Sequence, residues 1–256
     1  MGCCCGSKAI NPIEALEEVK QEAPEILIDG EEFHFAFAYM RDKVYFSQFR
    51  ILVQDKQGFF GSSVAWESIP YTAIKCFYVQ TAGSLDPTCE LGFWASGVSK
   101  GQFERYSLMA SPVTEISFQK GGGVDLFALQ AFLNQKVFNP SSTAVEVPPQ
   151  PEGMDDGDKL SKFMDLLGGD SRAIDPKVVE AQLRVDPPVL LPDEVVDMAF
   201  RCGRDTTCFT SRRLLRIDVK GITGKQINYK SYLWSSIRAF AVETPGMFLD
   251  RDCEIK

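Results

Sequence analysis

Basic charge, histidine and long apolar runs are all scarce in this chain, and each shortage removes a class of function. Lys and Arg number 27 against 35 Asp and Glu, a formal net charge of −8. The chain as a whole therefore lacks the basic face that phosphate contacts require, and no nucleic acid is expected as a partner. The deficit is uneven, because residues 194–256 carry more Lys and Arg than Asp and Glu while the chain before them is strongly acidic. No run of eighteen apolar residues occurs and no apolar segment follows the start, so neither a spanning helix nor a secretion signal is expected. The eight Cys are then assigned to a reducing compartment. No C-x-x-C pair is present, and Cys76, Cys89, Cys202, Cys208 and Cys253 read as buried thiols rather than metal ligands. The single His, His34, stands between Phe33 and Phe35 and reads as a strand-face residue with no nucleophile patterned around it. Gly121-Gly122-Gly123 has no P-loop Lys-Ser/Thr, so it reads as a strand-to-helix turn. No active site, cofactor or metal is expected.

What the chain does have is a repeat. Arg41 to Thr81 is written again from Arg204 to Thr244, without a gap: Phe46 falls on Phe209, Arg50 on Arg213, Leu52 on Leu215, Asp55 on Asp218 and Gly58 on Gly221. The register continues with Ser68 on Ser231, Ile74 on Ile237, Phe77 on Phe240 and Val79 on Val242. Two copies of one folding unit follow. Alternating β-branched and aromatic residues predict antiparallel strands. Asp55-Lys56-Gln57-Gly58 and Asp218-Val219-Lys220-Gly221 read as hairpin turns with Asp first and Gly last.

Seven strands are predicted in the first copy: Phe33–Met40, Lys43–Val53, Ser62–Trp66, Ala73–Gln80, Cys89–Ala95, Gln102–Met109 and Thr114–Phe118. Val124–Phe138 follows as an amphipathic helix, with Leu126, Leu129, Phe132, Leu133 and Val137 near one face. A short helix leads each copy, started by Asn11-Pro12 and Asp175-Pro176, and Ile13, Leu16 and Val19 form the stripe of the first. Lys256 corresponds to about Gly92, so the last strands and the closing helix have no second counterpart. The edge this leaves would be capped by an interdomain helix around Phe163, by another chain or by a ligand strand.

The order RD…F(S/T)…R(I/L)L…D…G…S…I…F.V.T.G, running here from Arg41 to Gly83 and again from Arg204 to Gly246, resembles the bacterial-type pleckstrin-homology (PH-like) domain family. The resemblance implies a mainly β (α+β) fold. It predicts a seven-stranded bent barrel capped by a C-terminal helix, then a partial second PH-like unit. It also implies a tendency to homo-oligomers. The expected organisation is an N-terminal segment 1–10, a first domain 11–138, a linker 139–158, a helical connector 159–185 and a partial second domain 186–256.

Met1-Gly2-Cys3-Cys4-Cys5-Gly6-Ser7 resembles termini that are N-myristoylated at Gly2 and S-palmitoylated at the following Cys, although Gly6 stands where Ser or Thr is usual. A floppy terminus with incidental Cys is the plain alternative. One myristoyl chain binds membranes only marginally, and Lys8 is the only nearby cation ahead of Glu14, Glu17 and Glu18, so the second anchor would be palmitate at Cys3, Cys4 or Cys5. The expectation is a non-enzymatic, membrane-anchored scaffold, intracellular and peripheral on the cytoplasmic face. The alternative is an anionic lipid headgroup module, for which the candidate residues are Arg201, Arg204, Arg212, Arg213 and Arg216.

Overall fold

The computed structural model describes residues 7–57, 63–84, 86–96, 114–119, 123–140, 172–220, 226–239, 242–243 and 254–255. The predicted strand Gln102–Met109, the connector helix at Leu160–Leu167 and the anchor at Gly2–Cys5 lie outside these residues.

Each copy opens the same way. β1 (Lys8–Ala9) precedes α1 (Pro12–Glu22), and β9 (Arg172–Ile174) precedes α3 (Pro176–Val185). Asn11 and Asp175 cap these helices, accepting from the Ile13 amide at 3.0 Å and the Lys177 amide at 2.9 Å, with Pro in the first turn. The buried face of α1 is Ala15 and Val19, and the predicted stripe residue Ile13 is 69% exposed. Four strands follow in each copy. They are β2 (Phe33–Tyr39), β3 (Asp42–Ser47), β4 (Arg50–Gln57) and β5 (Ser63–Pro70) in the first, and β10 (Val196–Cys202), β11 (Asp205–Thr210), β12 (Arg213–Lys220) and β13 (Gln226–Leu233) in the second.

Two expectations are corrected here. Lys43–Val53 is not one strand but two, broken at Gln48-Phe49, because the Ser47 hydroxyl accepts from both the Phe49 and Arg50 amides at 3.1 Å and closes a tight turn. Asp55, Lys56 and Gln57 do not turn: they pair with Ala65, Val64 and Ser63 as strand. The first copy then adds β6 (Ile74–Gln80), β7 (Thr88–Ala95) and β8 (Thr114–Gln119), followed by α2 (Leu126–Phe138), which Asp125 caps through the Ala128 amide. Seven strands and a helix thus stand among its described residues.

The sheets do not respect the copies. β1 to β5 form one sheet, while the other has the order β8-β7-β6-β13-β12-β11-β10-β9. β6 of the first copy runs antiparallel to β13 of the second, with Val79 opposite Tyr229 and Phe77 opposite Ser231. The edge expected to need an interdomain helix, another chain or a ligand strand is therefore covered by the first copy itself. α2 shares this double duty. It is buried at Leu126, Phe127, Leu129, Gln130, Phe132, Leu133, Asn134, Lys136 and Val137, on nearly every side, so it is not the one-faced helix expected. Phe132 meets Tyr71 of the first copy and Phe127 meets Tyr229 of the second, edge to face at 6.0 and 5.9 Å. The main hydrophobic core is accordingly continuous, from Phe37 and Phe46 through Leu129 to Leu215 and Ile227.

Candidate interaction surfaces

The turn that splits each hairpin organises a buried polar cluster. In the first copy Arg50 donates to both carboxylate oxygens of Glu31, at 3.0 and 2.8 Å, to the Ile26 carbonyl at 2.6 Å and to Ser68 Oγ at 3.0 Å. In the second, Arg213 donates to Glu194 at 2.9 and 3.0 Å, to the Val189 carbonyl at 2.8 Å and to Ser231 Oγ at 2.8 Å. Ser47 and Thr210 each donate a 2.7 Å bond to the same carboxylate, and Tyr71 and Trp234 cap the Ser47 and Thr210 carbonyls at 2.7 and 2.8 Å. Burial alone would raise the Glu31 carboxyl, but bonds from Arg50, the Ile28 amide and Ser47 outweigh it and hold it below the ordinary value.

This geometry settles where the candidate arginines stand. Arg213 is fully buried and committed to Glu194, with Asn134 and the Phe138 ring closing the remaining side, so it is corrected from a candidate ligand group to a core residue. Arg201 is also buried, its Nε donating to the Gly203 carbonyl at 2.6 Å. Arg204 is exposed at the β10–β11 turn, Arg212 is half-exposed and paired with Asp193, and Arg216 is half-exposed and paired with Asp218 at 2.6 Å. The five are scattered, and no common anion pocket joins them. Asp205 accepts from the Val219 amide at 2.9 Å, as Asp42 accepts from Lys56 at 3.0 Å, so both serve the hairpin.

Elsewhere, His34 touches Phe132 with ring centroids 5.2 Å apart, and burial followed by the nearby Lys136 charge lowers its pKa. Cys76 and Cys208 are buried thiols, each pushed up to about 12 by burial. Among the described residues no group of three His, Cys, Asp or Glu is placed to hold a metal, and no helix is long and apolar enough to cross a membrane. A cleft of about 370 Å³ opens between β2, β3 and β8, lined by Ser7, Phe37, Tyr39, Asp42 and Glu115, and its two carboxylates disfavour an anion there.

Sequence reasoning missed Glu31, Glu194 and Asn134. A signal for the first two was present, since both acids recur at the repeat spacing together with Ser47/Thr210 and Ser68/Ser231. Asn134 had no such signal, because only the packing of α2 on the second copy gives it a partner.

Seven strands in two sheets, a helix, and then the leading helix and first four strands again define a pleckstrin-homology-like unit with a partial second one. Residues 7–137 and 165–256 match the bacterial PH domain family, and the chain belongs to it. Over 79 residues it is 42% identical to the uncharacterized protein YjqA of Bacillus subtilis (strain 168), covering 31% of this chain and 63% of that protein, so the match spans less than two thirds of the relative. A pleckstrin-homology protein from Shewanella loihica PV-4 is similar over 52% of this chain and 97% of its own, at 29% identity and a TM-score of 0.39. A pleckstrin homology domain from Shewanella amazonensis SB2B covers 51% and 90%, at 29% identity and a TM-score of 0.35.

Proposed function

We propose that the protein is a non-catalytic interaction scaffold held on the cytoplasmic face of a membrane by acyl chains on Gly2 and on Cys3, Cys4 or Cys5. The observation that supports this reading is the way the terminus is tied down. Lys8 and Ala9 pair with Ala38 and Phe37 as an edge strand, and the Ser7 amide donates to the Ser117 carbonyl. An extended chain spans at most about 3.6 Å per residue, so acyl chains at these positions would hold the folded body within roughly 20 Å of the bilayer. A short tether on a rigid body suits a platform that presents a fixed face. Acyl anchoring also fits the local charge, because Glu14, Glu17 and Glu18 on α1 and the carboxylates of the nearby cleft offer anionic lipid nothing.

Headgroup recognition by the arginines is less well supported, since Arg212 and Arg216 are already paired with Asp193 and Asp218. The test is fractionation of cells expressing the wild type, Gly2→Ala and a triple Cys3, Cys4, Cys5→Ser variant. Both variants are expected in the soluble fraction. Full membrane association of both would overturn the anchor.

A further inference from the structure

We propose that the outer edge of β5 is a docking site for a second copy of this chain, which adds its β14 strand (Val242–Glu243) there, head to tail. The proposal rests on reading the protein as an interaction module. β5 and β13 are the same strand of the repeat, yet only one is covered. β13 lies between β12 and β6, and its Ile227 and Tyr229 are wholly buried. β5 has β4 on one side and, among the described residues, no strand on the other. Its Val64, the counterpart of Ile227, is 41% exposed, and Trp66, the counterpart of Tyr229, is half-buried. Apolar residues thus stand at equivalent places while the cover exists in one copy alone.

The internal joint also supplies the geometry. Ile227 turns its amide and carbonyl toward the joint, donating to Thr81 Oγ1 at 2.9 Å and accepting from the Thr81 amide at 2.8 Å. Residues of a strand alternate in the side to which they bond, so Val64, Trp66 and Ser68 turn theirs outward from β5. The joint sets Tyr229 opposite Val79 and Asn228 opposite Gln80. Moving one repeat back on β13 and one forward on β6 sets Trp66 opposite Val242 and Ala65 opposite Glu243 of the second copy. β14 is bordered by β15 (Glu254–Ile255) on one side only among the described residues, so its other edge has the same bonds to give. Pairing β5 with β5 of a second copy would instead bring the two Glu67 side chains close together near the middle of the strand, which like charges oppose. A head-to-tail joint repeats, giving a ring or an open filament.

The test uses the full unacylated chain at tens of micromolar. Light scattering is expected to give a mass of at least two chains, falling to one chain in Trp66→Lys and in Val64→Pro, which removes an outward amide that β4 does not use. Thermal melts of both variants by circular dichroism guard against misfolding, and melting midpoints near the wild type are expected. Register is read by crosslinking in a background with Cys3, Cys4, Cys5 and Cys202 replaced by Ser. Chains carrying Trp66→Cys mixed with chains carrying Val242→Cys are expected to crosslink, and Trp66→Cys alone is not. A monodisperse wild-type monomer overturns the proposal, and so does self-crosslinking of Trp66→Cys. Neither result bears on the anchor, which fractionation decides separately.

Discussion

Arg50 and Arg213 are held by the same set of partners one repeat apart, and they differ in what closes the last side. For Arg50 it is water, since its side chain remains 12% exposed, whereas for Arg213 it is Asn134, at 2.7 Å, and the ring of Phe138. Removing one member of a buried ion pair strands the other, at a cost of about 3–5 kcal/mol. Arg213→Ala is expected in that range by urea denaturation, and Arg50→Ala below it, because water can reach Glu31 where Arg50 lay. Equal losses would contradict the difference in closure. The same cluster sets an acid limb. The folded Glu31 carboxyl titrates below its ordinary value of 4.5, so its contribution to stability is present above that pH and is lost as pH falls through the lower folded value. The stability difference between wild type and Glu31→Gln is therefore expected to be constant from pH 6 to 5 and to shrink below 4.5.

Among the elements, β6 and β7 form the centre of the long sheet, and their contact depends on a missing side chain. A Cβ on Gly92 would lie 2.3 Å from Cε1 of Tyr78, directly across the strands. The Tyr78 ring cannot retreat freely, since its hydroxyl donates to Glu115 at 3.0 Å and its face meets Trp94 at 5.8 Å. Gly92→Ala should then cost about 1–3 kcal/mol, as overpacking does. In a Tyr78→Ala background the same substitution should cost far less, and additive losses in the thermal melts would rule out the clash. α2 teaches a related lesson. Its apolar positions mark one face clearly, but Gln130, Asn134 and Lys136 are buried as well, because the second copy packs on the side that polarity had assigned to solvent.

For the molecule as a whole, the two copies share one sheet and one core, so the second cannot stand alone. Residues 186–256 without the first copy would lose β6 from the edge of β13, Asn134 from Arg213 and Phe127 from Tyr229. That fragment is expected to show no cooperative thermal transition as a monomer, in contrast to the full chain. A sharp transition would mean that the joint contributes little.

The sequence by itself determined the repeat, the antiparallel strand character, the caps on α1 and α3 and the family, because these depend on neighbouring residues and on spacing along the chain. It also carried the Glu31/Glu194 and Ser47/Thr210 pairs, kept at the repeat spacing, though not their meeting with Arg50 and Arg213. Tertiary structure alone decided that β6 completes the second copy's sheet and that Arg213 is core rather than surface. It alone decided that α2 is buried all round. Each of these turns on which face of one copy meets the other, and two copies with the same local pattern are told apart only by what packs against them.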